Sequence, residues 1–228
     1  FDAETGAMVA LTGFLLQDEL EDISPLIVRR MDYELDRRIV QPYLQGNYGW
    51  MGFAKGSKPN NWNPWINSNV LIVMLYHLQK VDTINEIFPK LLRSVDNFIN
   101  PYNADGGCDE GPGYWNEAGG ALVRILYLLQ AASGGKWNFQ NEQVLDNMAA
   151  YIYKVYIKDH YYVNFADAPA RVTPGADKVF EGGKYFGDPT LIRFGKALLS
   201  EKQLNTSSVM DFLFTLHAYG DTTNVVKD

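Results

Sequence analysis

The stretch Pro64-Trp-Ile-Asn-Ser-Asn-Val-Leu-Ile-Val-Met-Leu-Tyr-His-Leu-Gln79 decides the fold class. Its apolar residues recur three and four positions apart, which is the spacing of residues on one face of an α-helix. The uninterrupted apolar run Val70–Tyr76 is too short to cross a bilayer, which takes about 20 apolar residues. The stretch therefore predicts a buried helix of a folded domain.

Six other segments have the same spacing and are also predicted to be helices. They are Asp2–Gln17, Ser24–Val40, Thr83–Ile99, Tyr114–Ala132, Asn141–Ile157 and Pro189–Leu199. Ser24-Pro25 and Asp188-Pro189 each place a capping side chain before a proline that suits the first helical position. Only Tyr161–Phe165 has the composition of a strand. We therefore predict an all-α chain built from helical hairpins.

Length, charge and cysteine content restrict the class of protein. The 228 residues include 46% apolar and 14% aromatic side chains, which fits one folded domain. The net charge of −7 argues against nucleic acid and anionic membranes as partners. The single cysteine, Cys108, excludes an internal disulfide. Because the chain starts at Phe1 inside a predicted helix, we expect it to be a piece of a longer protein.

The first unusual motif is Asn60-Asn-Trp-Asn-Pro-Trp-Ile-Asn-Ser-Asn69, with five asparagines and two tryptophans. Asparagines cap helices and shape turns, and tryptophans fill cores, so one interpretation is purely structural. The other interpretation is a sugar-binding surface. In that case indole faces stack on sugar rings, and carboxamides bond to hydroxyl or carboxylate oxygens.

The second motif is Asp105-Gly-Gly-Cys-Asp-Glu-Gly-Pro-Gly-Tyr-Trp115. Its glycines and proline impose a special backbone path that leads into the predicted helix starting at Tyr114. Asp109 and Glu110 precede that helix, where negative charge is favoured. Two interpretations follow: the two carboxylates cap the helix, or they provide the acid and base of a glycoside hydrolase.

The third motif is Tyr161–Arg171, which includes Asp167 and lies in the loop 160–175 that starts at His160. A guanidinium can hold a carboxylate through two parallel hydrogen bonds, so Arg171 is a candidate ligand of an acidic group. The alternative is a surface ion pair between Arg171 and Asp167. If the helical hairpins close into a toroid, this loop and the loops 46–63 and 103–113 lie on one rim and can line a cleft.

With Arg93-Ser-Val-Asp-Asn-Phe98 and Asn164-Phe-Ala-Asp-Ala168, the first two motifs resemble the heparinase II/III-like family over nearly the whole chain. The resemblance implies an incomplete (α/α) toroid of helical hairpins, covering residues 1–228 as one domain, and a β-rich region beyond it. Characterised members of that family are polysaccharide lyases that act on uronic-acid polymers such as heparan sulfate and alginate. The implied partner is therefore an acidic polysaccharide, and neither a metal ion nor a cofactor is expected.

The resemblance also implies a reaction and assigns two catalytic residues. In β-elimination a neutral donor offsets the charge of the substrate carboxylate, and a base removes the proton on C5 of the uronate. By the resemblance, Asn61 is the neutralising donor and Tyr114 is both base and acid. Several relatives have histidine where this chain has Trp62, so Asn60 or Asn63 is an alternative neutraliser. A further histidine is expected from the β-rich region.

The residues expected to contact substrate share aromatic, amide or charged side chains within or next to the three motifs. They are Asn60, Trp62, Asn63, Trp65, Glu110, Trp115, His160 and Arg171. Because the net charge opposes capture of a polyanion, Arg171 and Lys178 are expected to attract it locally. Two other functions stay open. One is glycoside hydrolysis by Asp109 or Glu110, and the other is sugar binding without catalysis through the tryptophans.

Overall fold

The computed structural model describes residues 2–78, 80–201 and 213–216. Within them the chain is mostly helical, with ten α-helices and one two-stranded sheet. The prediction of an all-α class is therefore confirmed. The chain forms two compact units, Phe1–Pro101 and Tyr102–Asp228. In the described part, no helix has the length and apolar content needed to span a membrane.

The N-terminal unit contains six α-helices, a π-helical turn and a 3₁₀ turn. The α-helices are α1 (Asp2–Leu15), α2 (Gln17–Ile23), α3 (Pro25–Leu35), α4 (Gln41–Gln45), α5 (Trp62–Tyr76) and α6 (Val81–Ile99). The π-helical turn is Asp36–Val40 and the 3₁₀ turn is Gly49–Met51. Ser24 caps α3 as predicted, because its side chain accepts a hydrogen bond from the backbone N–H of Leu26. Helix α5 packs against α1 and α6 and buries Leu71, Ile72 and Val73.

A buried polar network anchors the start of α5. The Tyr43 hydroxyl donates to Asn67 Oδ1 at 2.7 Å, and Asn67 Nδ2 donates to Asn63 Oδ1 at 3.1 Å. Asn63 Nδ2 donates in turn to the carbonyls of Trp50 and Ser94, at 2.8 and 2.9 Å. Since unpaired buried amides are costly, this set of bonds strongly favours one arrangement of α4, α5 and α6.

A lysine of α6 holds the end of α4. Lys90 Nζ donates to the backbone carbonyls of Tyr43, Leu44 and Gly46, at 2.8, 2.9 and 2.6 Å. The last carbonyls of a helix lack hydrogen-bond donors inside the helix and carry partial negative charge. An ammonium group donates hydrogen bonds to these carbonyls and also offsets their charge. Lys90 thus ties the segment before the first motif to α6.

The C-terminal unit contains four α-helices, a 3₁₀ turn and a β-hairpin. The α-helices are α7 (Gly119–Ala132), α8 (Gln143–Lys154), α9 (Ala176–Phe186) and α10 (Pro189–Glu201). The 3₁₀ turn is Pro112–Tyr114, and the strands are β1 (Tyr156–Lys158) and β2 (Tyr161–Tyr162). Asp188 Oδ1 accepts from the N–H groups of Thr190 and Leu191, at 2.7 and 3.1 Å, so the predicted cap of α10 is confirmed.

Helix α9 was not predicted from the sequence. Its glycines weaken the local helical signal, since glycine lowers helix propensity by about 1 kcal/mol relative to alanine. The structure explains one of them: a Cβ on Gly183 would lie 2.6 Å from the backbone nitrogen of Ile192. The glycine therefore permits close packing of α9 against α10, which the local sequence does not reveal.

The β-hairpin ends α8 earlier than predicted and shortens the predicted strand 161–165 to two residues. Strands β1 and β2 pair antiparallel across a turn at Asp159 and His160. Both turn residues have positive φ, 48° and 63°. A two-residue hairpin with positive φ at both turn positions matches the right-handed twist of its strands, although glycine or asparagine is more usual there.

Candidate functional site

The first motif places Asn60 and Trp62 at the start of α5. Asn60 Oδ1 accepts a hydrogen bond from the backbone N–H of Trp62 at 3.2 Å, so this exposed asparagine caps the helix. The Trp62 side chain is 51% exposed. The flat apolar face of an exposed indole suits a sugar ring. Trp65 is only partly exposed.

The asparagines that follow differ sharply in their surroundings. Asn63 is fully buried, and both its amide nitrogen and its amide oxygen are bonded inside the protein. This placement argues against the prediction that Asn63 contacts substrate, because its amide is committed to the interior. Asn61 is only 5% exposed, so its side chain is buried as well, and it does not cap α5.

The second motif is packed against the loop that contains the third. Gly111 has φ of 85°, and a Cβ on it would lie 2.6 Å from the Phe165 carbonyl oxygen and 2.8 Å from Ala168 Cβ. A Cβ on Gly113 would lie 3.0 Å from Pro169 Cδ. Gly111 is therefore required by its conformation and by close contact, and Gly113 is closely packed. Within the C-terminal unit, the structure thus brings the two motifs 105–115 and 164–168 together.

Tyr114 and Trp115 are adjacent but face different surroundings. Tyr114 ends the 3₁₀ turn and is 37% exposed. Trp115 is 1% exposed, and its indole N–H donates to the Met148 carbonyl at 2.9 Å. This burial argues against the prediction that Trp115 stacks on a sugar. The indole instead anchors the backbone that presents the Tyr114 phenol to solvent.

The neighbouring carboxylates do not cap a helix. Helix α7 starts at Gly119, several residues beyond Asp109 and Glu110, so the capping interpretation is wrong. Asp109 is exposed and its Oδ1 accepts a hydrogen bond from Asn103 Nδ2 at 3.2 Å. Glu110 is partly exposed. Both remain candidate acids.

The third motif holds an arginine on an aromatic ring. Arg171 is exposed, and its Cζ lies 4.6 Å from the centroid of the Tyr161 ring. Among the ion pairs of the described chain, none joins Arg171 to Asp167. Lys178, by contrast, donates to the Asn116 carbonyl at 3.1 Å, so its ammonium is directed at the protein. His160 is partly exposed.

A buried charge cluster in the C-terminal unit was missed from the sequence. Arg124 Nη2 lies 2.6 Å from Asp177 Oδ2, and Arg124 Nε lies 3.1 Å from Glu181 Oε2. All three side chains are buried. The available signal was an arginine in the middle of the apolar helix α7, because a charge there needs an interior partner.

Burial and pairing move the two carboxyl groups in opposite directions. Burial raises the pKa of Glu181 to about 7, although Arg124 opposes that rise. Burial acts on Asp177 as well, but the attraction of Arg124 prevails and holds the pKa of Asp177 below its ordinary value. Glu181 therefore takes up a proton near neutral pH while Asp177 stays ionised beside the guanidinium.

The raised pKa of Glu181 predicts a pH dependence of stability. Between its ordinary value of 4.5 and about 7, the folded state holds a proton that the unfolded state releases. This contribution is full below the ordinary value and is lost as the pH rises through the folded value. We expect the stability of the wild type relative to Glu181→Gln to fall by about 3 kcal/mol between about pH 4 and pH 8.

Urea unfolding of both proteins across that pH range measures the effect. Glutamine is the matched change because its side-chain oxygen can still accept the Arg124 Nε bond while nothing titrates. Titrating groups that do not interact with Glu181 cancel in the difference, and Asp177, which does interact with it, stays ionised over this range because Arg124 lowers its pKa. Parallel stability curves for the two proteins would contradict the prediction.

No protein-family model matches the chain, and no curated protein matches it.

In residues 2–78, 80–201 and 213–216, no group of three or more His, Cys, Asp and Glu side chains is placed to hold a metal ion. The candidate residues divide between the units, with Asn61 and Trp62 in the N-terminal one and Tyr114 and Arg171 in the C-terminal one.

Proposed function

We propose that the chain is the incomplete (α/α) toroid of a heparinase II/III-like polysaccharide lyase that cleaves a uronic-acid-containing glycan by β-elimination. The observation that carries the proposal is the position of Tyr114. Its phenol is exposed at the end of a turn that is held by close glycine contacts on one side and by the buried Trp115 on the other. Catalytic groups need a rigid backbone and an accessible functional atom, and Tyr114 has both.

The proposed reaction begins with removal of a proton. Tyr114, as the phenolate, takes the proton from C5 of the uronate, and the electron pair of that C–H bond forms a C4=C5 double bond. The bond between C4 and the glycosidic oxygen breaks as the double bond forms. The phenol then returns its proton to the leaving oxygen, so the tyrosine acts as base and then as acid.

Asn61 stabilises the charge that develops during this reaction. Removal of the C5 proton places negative charge on the uronate carboxylate, and an amide N–H that bonds to it lowers the energy of that state. Asn61 is proposed as this donor on the family resemblance, and Asn63 is set aside because its amide is committed to the buried network.

Two exposed side chains, one in each unit, are proposed to contact the glycan. The half-exposed indole of Trp62 offers an apolar face to a sugar ring. The Arg171 guanidinium, which has no carboxylate partner among the described residues, offers parallel N–H donors to an acid group. Both contacts suit a glycan that carries carboxylate or sulfate groups.

Ultraviolet absorbance tests the proposal directly. The natural full-length protein is incubated with heparan sulfate, hyaluronan, alginate and pectate, and the absorbance of the C4=C5 double bond conjugated to the carboxylate is followed. We expect a rise with at least one of these polymers and none with cellulose. New reducing ends without absorbance would indicate hydrolysis by Asp109 or Glu110 instead. Binding without any product would indicate a carbohydrate-binding domain.

A further inference from the structure

Three exposed side chains form a row across the small sheet of the C-terminal unit. Lys158 in β1 is directly opposite Tyr161 in β2, and Tyr161 is directly opposite Arg171 in the next segment. Directly opposite residues of antiparallel strands project from the same face of a sheet. We call Lys158, Tyr161 and Arg171 the cation–aromatic row. All three residues are exposed.

The backbone pairing places Arg171 on the Tyr161 ring. The N–H of Tyr162 donates to Ala170 O and the N–H of Val172 donates to His160 O, each at 3.0 Å. These bonds flank the pair Tyr161–Arg171, which is therefore a non-hydrogen-bonded pair, the position at which opposite side chains are closest. This explains the distance of 4.6 Å between Arg171 Cζ and the ring centroid.

The turn beside the row is held in a rare conformation. Asp159 and His160, which connect β1 to β2, both have positive φ without being glycine. Such residues cost free energy, and they persist where the surrounding structure demands them, often at ligand sites. Here the turn sets the register that places Lys158 opposite Tyr161.

Within the described residues, the positive charges of the row have no carboxylate partner. None of the ion pairs in the described chain includes Lys158 or Arg171, although Asp159 and Asp167 lie nearby in the sequence. A guanidinium that lies over an aromatic ring keeps its charge and can still donate hydrogen bonds to a second partner. The row therefore presents the Arg171 guanidinium, held over the Tyr161 ring, and the exposed Lys158 at the same face of the sheet.

We propose that the cation–aromatic row is a subsite for a carboxylate or sulfate group of the acidic glycan, with Tyr161 as the residue that positions Arg171. This inference rests on the proposed function, and it adds Lys158 and Tyr161 to the contacts predicted from the sequence. It also replaces Lys178, whose ammonium is turned to the protein, as the second attractive charge. The row supplies local positive potential on a chain whose net charge is −7.

Calorimetric titration of the 228-residue chain with three hexasaccharides tests the subsite. The probes are a heparan sulfate fragment, an alginate fragment that has carboxylates only, and neutral cellohexaose. We expect Arg171→Gln to weaken binding of an acidic probe about tenfold, and Lys158→Gln less. We expect Tyr161→Leu to weaken it about two- to fivefold and Tyr161→Phe to leave it unchanged. If the substitutions weaken binding of the alginate fragment, a carboxylate group is sufficient for the subsite. If they weaken binding of the heparan sulfate fragment alone, the subsite requires a sulfate group.

Two controls separate the row from general charge effects. Lys136→Gln removes an exposed lysine of the same unit, so it changes the net charge equally but leaves the row intact. The NMR chemical shift of Arg171 Nε–H shows, without any ligand, whether the guanidinium lies over an aromatic ring. We expect the ring-current shift to persist in Tyr161→Phe and to vanish in Tyr161→Leu.

The outcomes distinguish this inference from the proposed function. If the wild type binds no acidic hexasaccharide, the proposed substrate class is wrong and the subsite is overturned with it. If the wild type binds but Arg171→Gln weakens binding no more than Lys136→Gln does, only the subsite is overturned. An unchanged Arg171 resonance in Tyr161→Leu would overturn the positioning role of Tyr161.

Discussion

Replacing Arg124 with methionine is expected to lower the free energy of unfolding by about 3–5 kcal/mol. The guanidinium is the counter-charge of two buried carboxyl groups, Asp177 and Glu181. Methionine matches much of the volume of arginine but cannot donate hydrogen bonds. The substitution therefore leaves Asp177 charged, buried and without its cation.

The loss should depend on pH because the two carboxyl groups respond differently. Glu181 can become neutral by protonation, since burial already raises its pKa to about 7. Arg124 keeps the pKa of Asp177 low, so without Arg124 that group must either be charged in the interior or take up a proton. Because protonation is easier in acid, we expect Arg124→Met to be less destabilising at about pH 5 than at about pH 8.

Urea unfolding of the wild type and the variant at the two pH values measures this loss. Arg93→Met is a matched control, because Arg93 is exposed on α6 and its loss should change stability by no more than about 0.5 kcal/mol. A second variant replaces all three charged residues by apolar ones, and it should regain much of the lost stability. Equal stability of Arg124→Met and Arg93→Met would contradict the assignment of a tightly paired cluster.

Changing Tyr114 to phenylalanine is expected to lower kcat on the true substrate by about 10²–10⁴-fold, with little change in KM. The substitution removes only the hydroxyl group, which is the atom proposed to carry the proton. The ring and the turn that presents it are kept, because Trp115 and the flanking glycines hold the backbone independently of the hydroxyl. Substrate binding should therefore survive the loss of turnover.

The measurement is the rate of formation of unsaturated product by the full-length protein and its variant. Tyr33→Phe is the matched control, because Tyr33 is an exposed tyrosine of α3 outside the three motifs and its loss should leave kcat unchanged. Far-UV circular dichroism verifies that both variants fold. A kcat of Tyr114→Phe within twofold of the control would remove this tyrosine from the reaction.

Local chemistry explains why parts of the fold were predictable from the sequence. Helices α5 and α6 have apolar residues at helical spacing, and the caps at Ser24 and Asp188 depend only on the residues that follow them. Helix α9 was missed because its glycines serve contact with α10, and contacts between helices leave little trace in local propensity. The same reason applies to Arg124, whose partners lie on another helix.

The motifs that contain the candidate residues were predictable from the sequence. Which residue of each motif is buried and which is exposed was not. Asn61 and Asn63 are two positions apart and chemically identical, yet only Asn63 is committed to Trp50 and Ser94. Tyr114 and Trp115 are adjacent, yet one is exposed and the other is buried. Burial depends on which element covers a side chain, and that element is distant in the sequence.

By itself the sequence determined the helical class, two helix caps and the three motifs that contain the candidate residues, because periodicity and capping act over a few neighbouring residues. Tertiary structure alone decided that Trp115 is an anchor, that Lys178 turns to the protein and that Arg171 lies on Tyr161. Each of these outcomes depends on a contact with a residue that folding brings close. Such a contact cannot be inferred from the local sequence, because its free energy depends on both partners.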